Sequence, residues 1–303
     1  MLSTVEIQLI CILKPYGRIE LIPRIRVKQM KLGFISDIHT DRSKTLQETD
    51  FLHTLSAYIN DQALDEVFIG GDISNHYEKT IAFVEKLQAQ SGAKIYFIPG
   101  NHDYWEAKSA KKHTLTIHDT FKSHPQSILN KALMVDNDTA VVGHTGWYNH
   151  AYHDPAFTKE KLETGRHKLV TWQDKVRLDW QATDKEVSKQ FAQETKETLD
   201  QVMADHQPKN IILLTHVITI PEFTIPMPHR VFDFFNAYIA TDDYLPFYQD
   251  YPIKQSIMGH VHIRHQIKQG NQHFISNSLG YEREWRHNDL YQEIDHAMFI
   301  KYV

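Results

Sequence analysis

The 303 residues, 41% hydrophobic and 23% charged, are enough for a sizeable buried core, either one large domain or a core domain carrying an insertion. A formal net charge of −5 lacks the basic excess of duplex nucleic-acid binders, so any anionic substrate has to be drawn in by local charge. Cys11 is the only cysteine, which excludes an internal disulfide and fits a reducing compartment such as the cytoplasm.

Val5 to Leu13 is apolar but short, contains Glu6 and follows no basic residue, so it does not read as a signal peptide. No run reaches transmembrane length, and no membrane partner is expected. Two readings of residues 1–29 stand side by side. One is an edge hairpin turning at Pro15-Tyr16-Gly17, with Arg18 to Val27 alternating as a strand does; the other is an extension of uncertain order preceding a start at Met30.

Strand-like runs follow at 31–36, 66–70, 94–98, 139–143, 211–215 and 255–259, the early ones separated by amphipathic segments such as Leu46 to Asn60 and Thr80 to Leu87. Residues 264–278 read as a hairpin turning at Gln269-Gly270-Asn271, and Ala297 to Val303 as a last strand. This rhythm predicts a layered α/β (α+β) fold with a mixed sheet or two packed sheets. Between the strands, 150–208 reads as a helical insertion or cap, with apolar Val187, Phe191, Leu199, Val202 and Met203 on one face of a helix from Asp184 to His206. Ile218 to Asp250, with Pro221, Pro226, Pro228 and an aromatic-rich stretch to Tyr238, is a second candidate lid.

Five polar clusters sit where apolar runs end: Asp37-Ile38-His39, Gly71-Asp72, Gly100-Asn101-His102-Asp103, Thr215-His216 and Gly259-His260-Val261-His262. In open α/β sheets that edge collects ligands, because loops converge there while the strands hold them. Carboxylates, imidazoles and one amide carbonyl suit divalent Mn, Fe or Zn, and no thiolate takes part. Asp37 and His39, one residue apart, lie on the same side of an extended chain, but in a chain with 20 histidines such a pair arises about once by chance. The weight falls on the shared strand-end placement and on Gly-Asn-His-Asp.

The ordered set resembles the calcineurin-like metallophosphoesterase superfamily, whose signature runs D-x-H, GD-x-x-(D/N), GNH-(D/E), a lone H after a strand, and GH-x-H. The resemblance spans roughly 31–105 and 209–280. It implies two mixed β-sheets packed face to face between helices, a four-layer sandwich occupying 30–303. It also implies a binuclear centre in which Asp37, His39, Asp72 and His262 hold one ion, and Asp72, Asn101, His216 and His260 the other. His102 would be the non-ligand histidine that protonates the leaving group, oriented by Asn75 or Asp103. A hydroxide activated between the two ions would attack phosphorus.

In the protein Ser/Thr phosphatase branch, the position of Asn75 is an Asp followed by a phosphate-binding Arg; here Asn75 is followed by His76, which points away from that branch. The expected activity is hydrolysis of a phosphoester, a diester being favoured because no such Arg is evident. A small-molecule phosphomonoesterase and a single-strand nuclease are the alternatives. A non-catalytic scaffold with this fold is a further one, against which the intact ligand set speaks. Trp147, in Gly143 to Asn149, either lines the substrate cleft or belongs to the core. His113, His118, His124, His150 and His153 lie in polar stretches and are expected at the surface. Oligomeric state is not legible.

Overall fold

The computed structural model describes residues 5–14, 18–27, 29–106 and 113–303. Val5–Lys14 (β1) and Arg18–Val27 (β2) pair antiparallel along their whole length, as a hairpin would; the turn expected at 15–17 lies outside the described residues. Lys31–Ile35 (β3), Glu66–Ile69 (β4) and Lys94–Phe97 (β5) run parallel to one another. Lys131–Met134 (β6) turns back into Thr139–His144 (β7), and a two-residue pair, Arg166–His167 (β8) and Val170–Thr171 (β9), follows. Asn210–Thr215 (β10), Ile253–Met258 (β11), the hairpin Arg264–Gln269 (β12) and Gln272–Asn277 (β13), and Phe299–Tyr302 (β14) complete the set.

Two mixed sheets result, ordered β12-β13-β11-β10-β7-β6 and β14-β3-β4-β5. Because successive side chains on a strand point to opposite faces, each strand feeds two cores. Leu32, Phe34, Phe68, Val141, Ile212, Leu214, Ile257 and Ile275 meet between the sheets. Ile35, Val67, Ile69 and Phe97 point the other way, onto Leu52 and Leu55 of helix Glu48–Asp61, Phe83 and Leu87 of helix Tyr77–Gln90, and Ile294 of helix Leu290–Ala297. This is the layered sandwich that the alternation predicts.

The expected cap is corrected in one part. Helix Asp184–Asp205, started by a Thr183/Glu186 capping box, lays Ala192, Leu199 and Val202 on Ala140, Val142, Ile211 and Leu213, so it is the outer layer of the six-stranded sheet. Its apolar stripe shows that it packs on something and does not show on what. The preceding segment, through Trp172 and Asp174, is the part that reaches the strand ends.

At that edge the sheets are stitched by backbone: Leu279 N donates to Ser36 O at 2.8 Å and Gly280 N to Asp37 O at 3.0 Å. Among the described residues no helix is long and apolar enough to cross a membrane.

Candidate metal centre

Three of the five polar clusters leave their strands in tight left-handed turns. Asp37 (φ 55°), His39 (48°), Asp72 (55°), His260 (72°) and His262 (52°) all occupy the region that costs an L residue roughly 1 kcal/mol. Glycine would avoid the strain but carries no ligand atom, and Asp and His are among the residues that tolerate it best. Glycine is kept where bulk is fatal: a Cβ on Gly71 (φ 91°) would sit 2.4 Å from Gly100 N, and one on Gly100 would sit 2.2 Å from Asp72 Oδ1.

These turns bring the predicted ligand residues into two groups that share one carboxylate. Asp37, His39, Asp72 and His262 converge in one, and Asp72, His216 and His260 in the other, ligand atoms within 4.8 Å. Asp72 divides its oxygens between them: Oδ2 lies 3.7 Å from His39 Nε2, and Oδ1 lies 3.4 Å from His216 Nε2. Asn101 Oδ1 joins the second group, 3.0 Å from His216 Nε2. Asp37, His39, Asp72, Asn101 and His216 are at most 1% exposed.

The histidine tautomers fit divalent cations. His216 Nδ1 faces Gly70 O at 2.9 Å, His262 Nδ1 faces Glu284 Oε2 at 2.8 Å, and His260 Nε2 faces Tyr238 O at 3.0 Å. Each distal nitrogen therefore donates outward, which leaves the inner nitrogen with its lone pair aimed at the cluster. The inner nitrogens confront one another, His39 Nε2 to His262 Nε2 at 3.0 Å and His216 Nε2 to His260 Nδ1 at 3.2 Å. Lone pairs and carboxylate oxygens packed this closely need positive charge between them.

Protons supply some of it. Burial works against a charged ring, yet the charge of Asp72 and its hydrogen bond, with the charge of Asp37 and Gly70 O behind them, push His216 up to about 9. Burial is likewise overcome at His262, where hydrogen bonds to Asp37 and Glu284 push it up to about 10. Asp37 and Asp72 end below the usual carboxylate range despite burial, because His262 and His216 outweigh it. A divalent ion competes for the same lone pairs that hold these protons.

His102 stands beside the groups without joining them. Its Nδ1 lies 2.6 Å from Asn75 Oδ1, and Asn75 Nδ2 donates to Asp41 Oδ1 at 3.0 Å, which fixes the amide with its oxygen toward the ring. Nδ1 then carries the proton and Nε2 faces the centre, 3.9 Å from Asp72 Oδ2. Of the two orienting candidates, Asn75 touches His102.

Asp103 is the correction: its carboxylate turns inward and ties two loops together. It accepts from Asp72 N (2.7 Å), Ile73 N (3.0 Å), Ser74 N (3.0 Å) and Gly100 N (2.8 Å), and from Thr80 Oγ1 (2.6 Å). Burial and the Asp72 charge raise it to about 7 against the pull of those donors.

Of the two readings of Trp147, its surroundings match the core one. It is 0% exposed, packs on Tyr148, Trp180 and Phe191, and donates Nε1 to Asp184 Oδ1 at 3.1 Å, so its ring is core. His118 and His150, expected at the surface, are 8% exposed; His118 stacks on Phe191, and His150 Nε2 lies 3.0 Å from Asp184 Oδ2.

Several residues at the site carry no motif. Both Asp174 oxygens accept from Asn101 Nδ2 at 3.0 Å, which points Asn101 Oδ1 at His216; Trp105, Tyr148 and Trp172 donate to the same carboxylate. Burial raises Asp174 to about 6 against these donors. Tyr281 packs 4.6 Å from the His39 ring and 4.5 Å from the His262 ring. Glu284, on His262, is the acidic partner in a turn that spacing from the histidine pair does not reveal. A third group, His287, Glu293 and His296, is filled from within by the Arg264 guanidinium, which donates to Glu293 and lies 2.8 Å from His296 Nδ1.

The model of the calcineurin-like phosphoesterase family matches residues 30–264. An uncharacterized metallophosphoesterase of Helicobacter pylori J99 is 30% identical over 80 residues, 26% of this chain; the chain spans about a fifth of that relative's length. Uncharacterized protein L509 of Acanthamoeba polyphaga mimivirus is 23% identical over 277 residues, 87% of this chain and 96% of that protein. Among solved structures, phosphopantetheinyl hydrolase from Mycobacterium tuberculosis superposes with a TM-score of 0.67 at 17% identity, over 91% of this chain and 96% of its own. A dimetal phosphatase from Danio rerio superposes with a TM-score of 0.52 at 13% identity, over 90% and 92%. Both likenesses are of fold. With the family match covering most of the chain and every ligand-bearing loop, this chain belongs to the calcineurin-like phosphoesterase family.

Proposed function

We propose that this chain is a metal-dependent phosphohydrolase. The single observation that carries the reading is the pair of ligand groups sharing Asp72, one oxygen facing each, with the non-ligand His102 beside them. Asp37, His39, Asp72 and His262 would hold one divalent ion, and Asp72, Asn101, His216 and His260 the other. Two such ions supply an acidified water and charge neutralisation at phosphorus.

The chain's residues do the rest. Only Asp37 and Asp72 are anionic among the ligands, so the loaded site stays net positive and attracts a phosphate that the overall charge of −5 would repel. His102, with Nδ1 fixed on Asn75, presents Nε2 to the departing oxygen and, when protonated, gives it a proton. Burial holds His102 well below its ordinary range, which makes the protonated ring a strong acid, and the Asp72 charge works to restore it. Asp174 keeps the Asn101 carbonyl aimed inward.

A phosphodiester preference belongs to the same proposal. His76, where a protein phosphatase places its phosphate-binding Arg, stacks on Tyr77 at 5.4 Å and offers no fixed cation for a dianion. Residues 150–183 act as the cap that sets specificity, and the lone cysteine supports a cytoplasmic setting. The test is turnover of an aryl phosphodiester and the matching monoester by protein loaded with Mn²⁺, Fe²⁺ or Zn²⁺. Faster diester turnover is expected; metal-replete protein inert on both would refute the hydrolase reading.

A further inference from the structure

Trp105 follows His102 by three residues, and its ring stacks on the His102 imidazole, centroids 3.7 Å apart and planes at 26°. Two guanidinium groups lie over this indole: Arg177 at 4.8 Å and Arg42 at 5.9 Å from the ring centroid. They come from distant parts of the chain, Arg42 from the turn after His39 and Arg177 from the segment that carries Asp174. Arg42 also lies over Tyr281 at 5.7 Å, so it spans the rim between the His102 side and the His262 side.

Neither arginine is neutralised. Three acids around them are committed elsewhere: Asp41 accepts from Asn75 N and Nδ2, Glu282 from Ser43 Oγ at 2.7 Å, and Glu284 faces His262, while Glu106 Oε2 lies 3.3 Å from His113 Nδ1 without a hydrogen bond. Among the described residues no ion pair reaches Arg42 or Arg177. Arg177 Nη1 donates to Glu106 O at 3.2 Å, but its Nε is buried with no hydrogen-bond partner among the described residues. A buried donor left unpaired is costly, and a guanidinium is the side chain best shaped to grip a carboxylate or phosphate.

We infer that Arg42 and Arg177, held over Trp105, form the leaving-group subsite, and that the substrate's leaving group carries a carboxylate or a second phosphate. The inference rests on the hydrolase reading for the role of His102, which places the departing oxygen beside the Trp105 ring. The attacked phosphate belongs to the centre, and the second anion belongs to the two arginines. The indole, 4% exposed and tied through Nε1 to Asp174, positions the His102 ring and the two guanidinium groups from beneath.

Phenyl phosphate and 4-(carboxymethyl)phenyl phosphate, whose leaving phenols are nearly equal in acidity, separate this charge from leaving-group reactivity. Wild-type protein should favour the carboxylated ester by about tenfold or more in kcat/KM, mainly through KM. The preference should shrink in Arg42→Ala, disappear in Arg42→Ala/Arg177→Ala, and partly return in Arg42→Lys. Equal turnover of the two esters by wild type, or a preference that survives in the double variant, overturns the inference.

Calorimetric binding of the free alcohols, 4-hydroxyphenylacetate against 4-methylphenol, gives a readout that needs no turnover. Wild type should bind the acid about tenfold more tightly, and Arg42→Ala, an exposed substitution that leaves the core intact, should narrow that margin, the double variant abolishing it. Acid-selective binding in protein that turns over neither these monoesters nor the aryl phosphodiester would refute the hydrolase reading and leave the anion subsite standing. Binding without selectivity refutes the subsite.

Discussion

Asn101 Nδ2 donates to both carboxylate oxygens of Asp174, each at 3.0 Å. An amide has one acceptor end and one donor end, so this contact decides which of them reaches His216. Asp174→Ala should free the Asn101 side chain to rotate and weaken metal binding at the second position about 10–100-fold, the usual cost of losing an outer partner of a ligand. Titration calorimetry with Mn²⁺ checks it, and affinity equal to wild type would show that Asn101 needs no anchor.

His102 touches no ligand group as a member, so removing it should spare the metals and strike the chemistry. His102→Ala is expected to lose about 10²–10⁴-fold in kcat with unchanged metal content. Asn75→Ala should lose less, about tenfold, because the ring remains but its tautomer and tilt are released. Parallel kinetics and metal analysis read both; a drop in bound metal would move His102 into the ligand set.

Asp103 holds the Asp72 and Gly100 loops through four backbone N–H groups and Thr80. Asp103→Ala strands those buried donors, and a loss of about 3 kcal/mol or more in unfolding free energy is expected from denaturant titration. Wild-type stability in this variant would mean that the loops are held by other contacts.

Glu293 gives a pH dependence remote from the metal loops. Burial favours its neutral form, but hydrogen bonds from Arg264, His287 and the Arg286 backbone outweigh it and hold Glu293 down to about 2, from 4.5. A depressed acid stabilises the fold above its unfolded pKa and loses that contribution as pH falls through the folded value. Wild type should therefore exceed Glu293→Gln by about 2–3 kcal/mol at pH 7, and the gap should narrow between pH 4.5 and 2. A gap independent of pH would assign the difference to packing.

What was legible in the chain and what was not follows from the length scale of each signal. Strand runs ending in Asp37, Asp72, Asn101, His216 and His260 announce themselves because a short continuous apolar run and its polar stop lie within a few residues. The hairpin at Gly270 is local in the same sense. Helix Asp184–Asp205 was legible as a helix but not as the outer layer of the large sheet, since an apolar stripe does not name its partner. Asp174, Trp105, Tyr281 and Arg42 meet the site only through tertiary contacts, from positions as far apart as 42 and 281, and nothing in their spacing marks them. His118 and His150 look like surface residues because polar neighbours surround them in sequence, whereas aromatic rings and Asp184 surround them in space.

The account turns on Asp72 serving two ions, and metal stoichiometry of wild type against Asp72→Asn tests that most directly. Elemental analysis of protein equilibrated with excess Mn²⁺ and freed of unbound metal should find about two ions per wild-type chain and fewer than about one in the variant, because the amide leaves one position without its oxygen and both without the carboxylate charge. A wild type that retains a single ion, or an Asp72→Asn protein that keeps both, would contradict it.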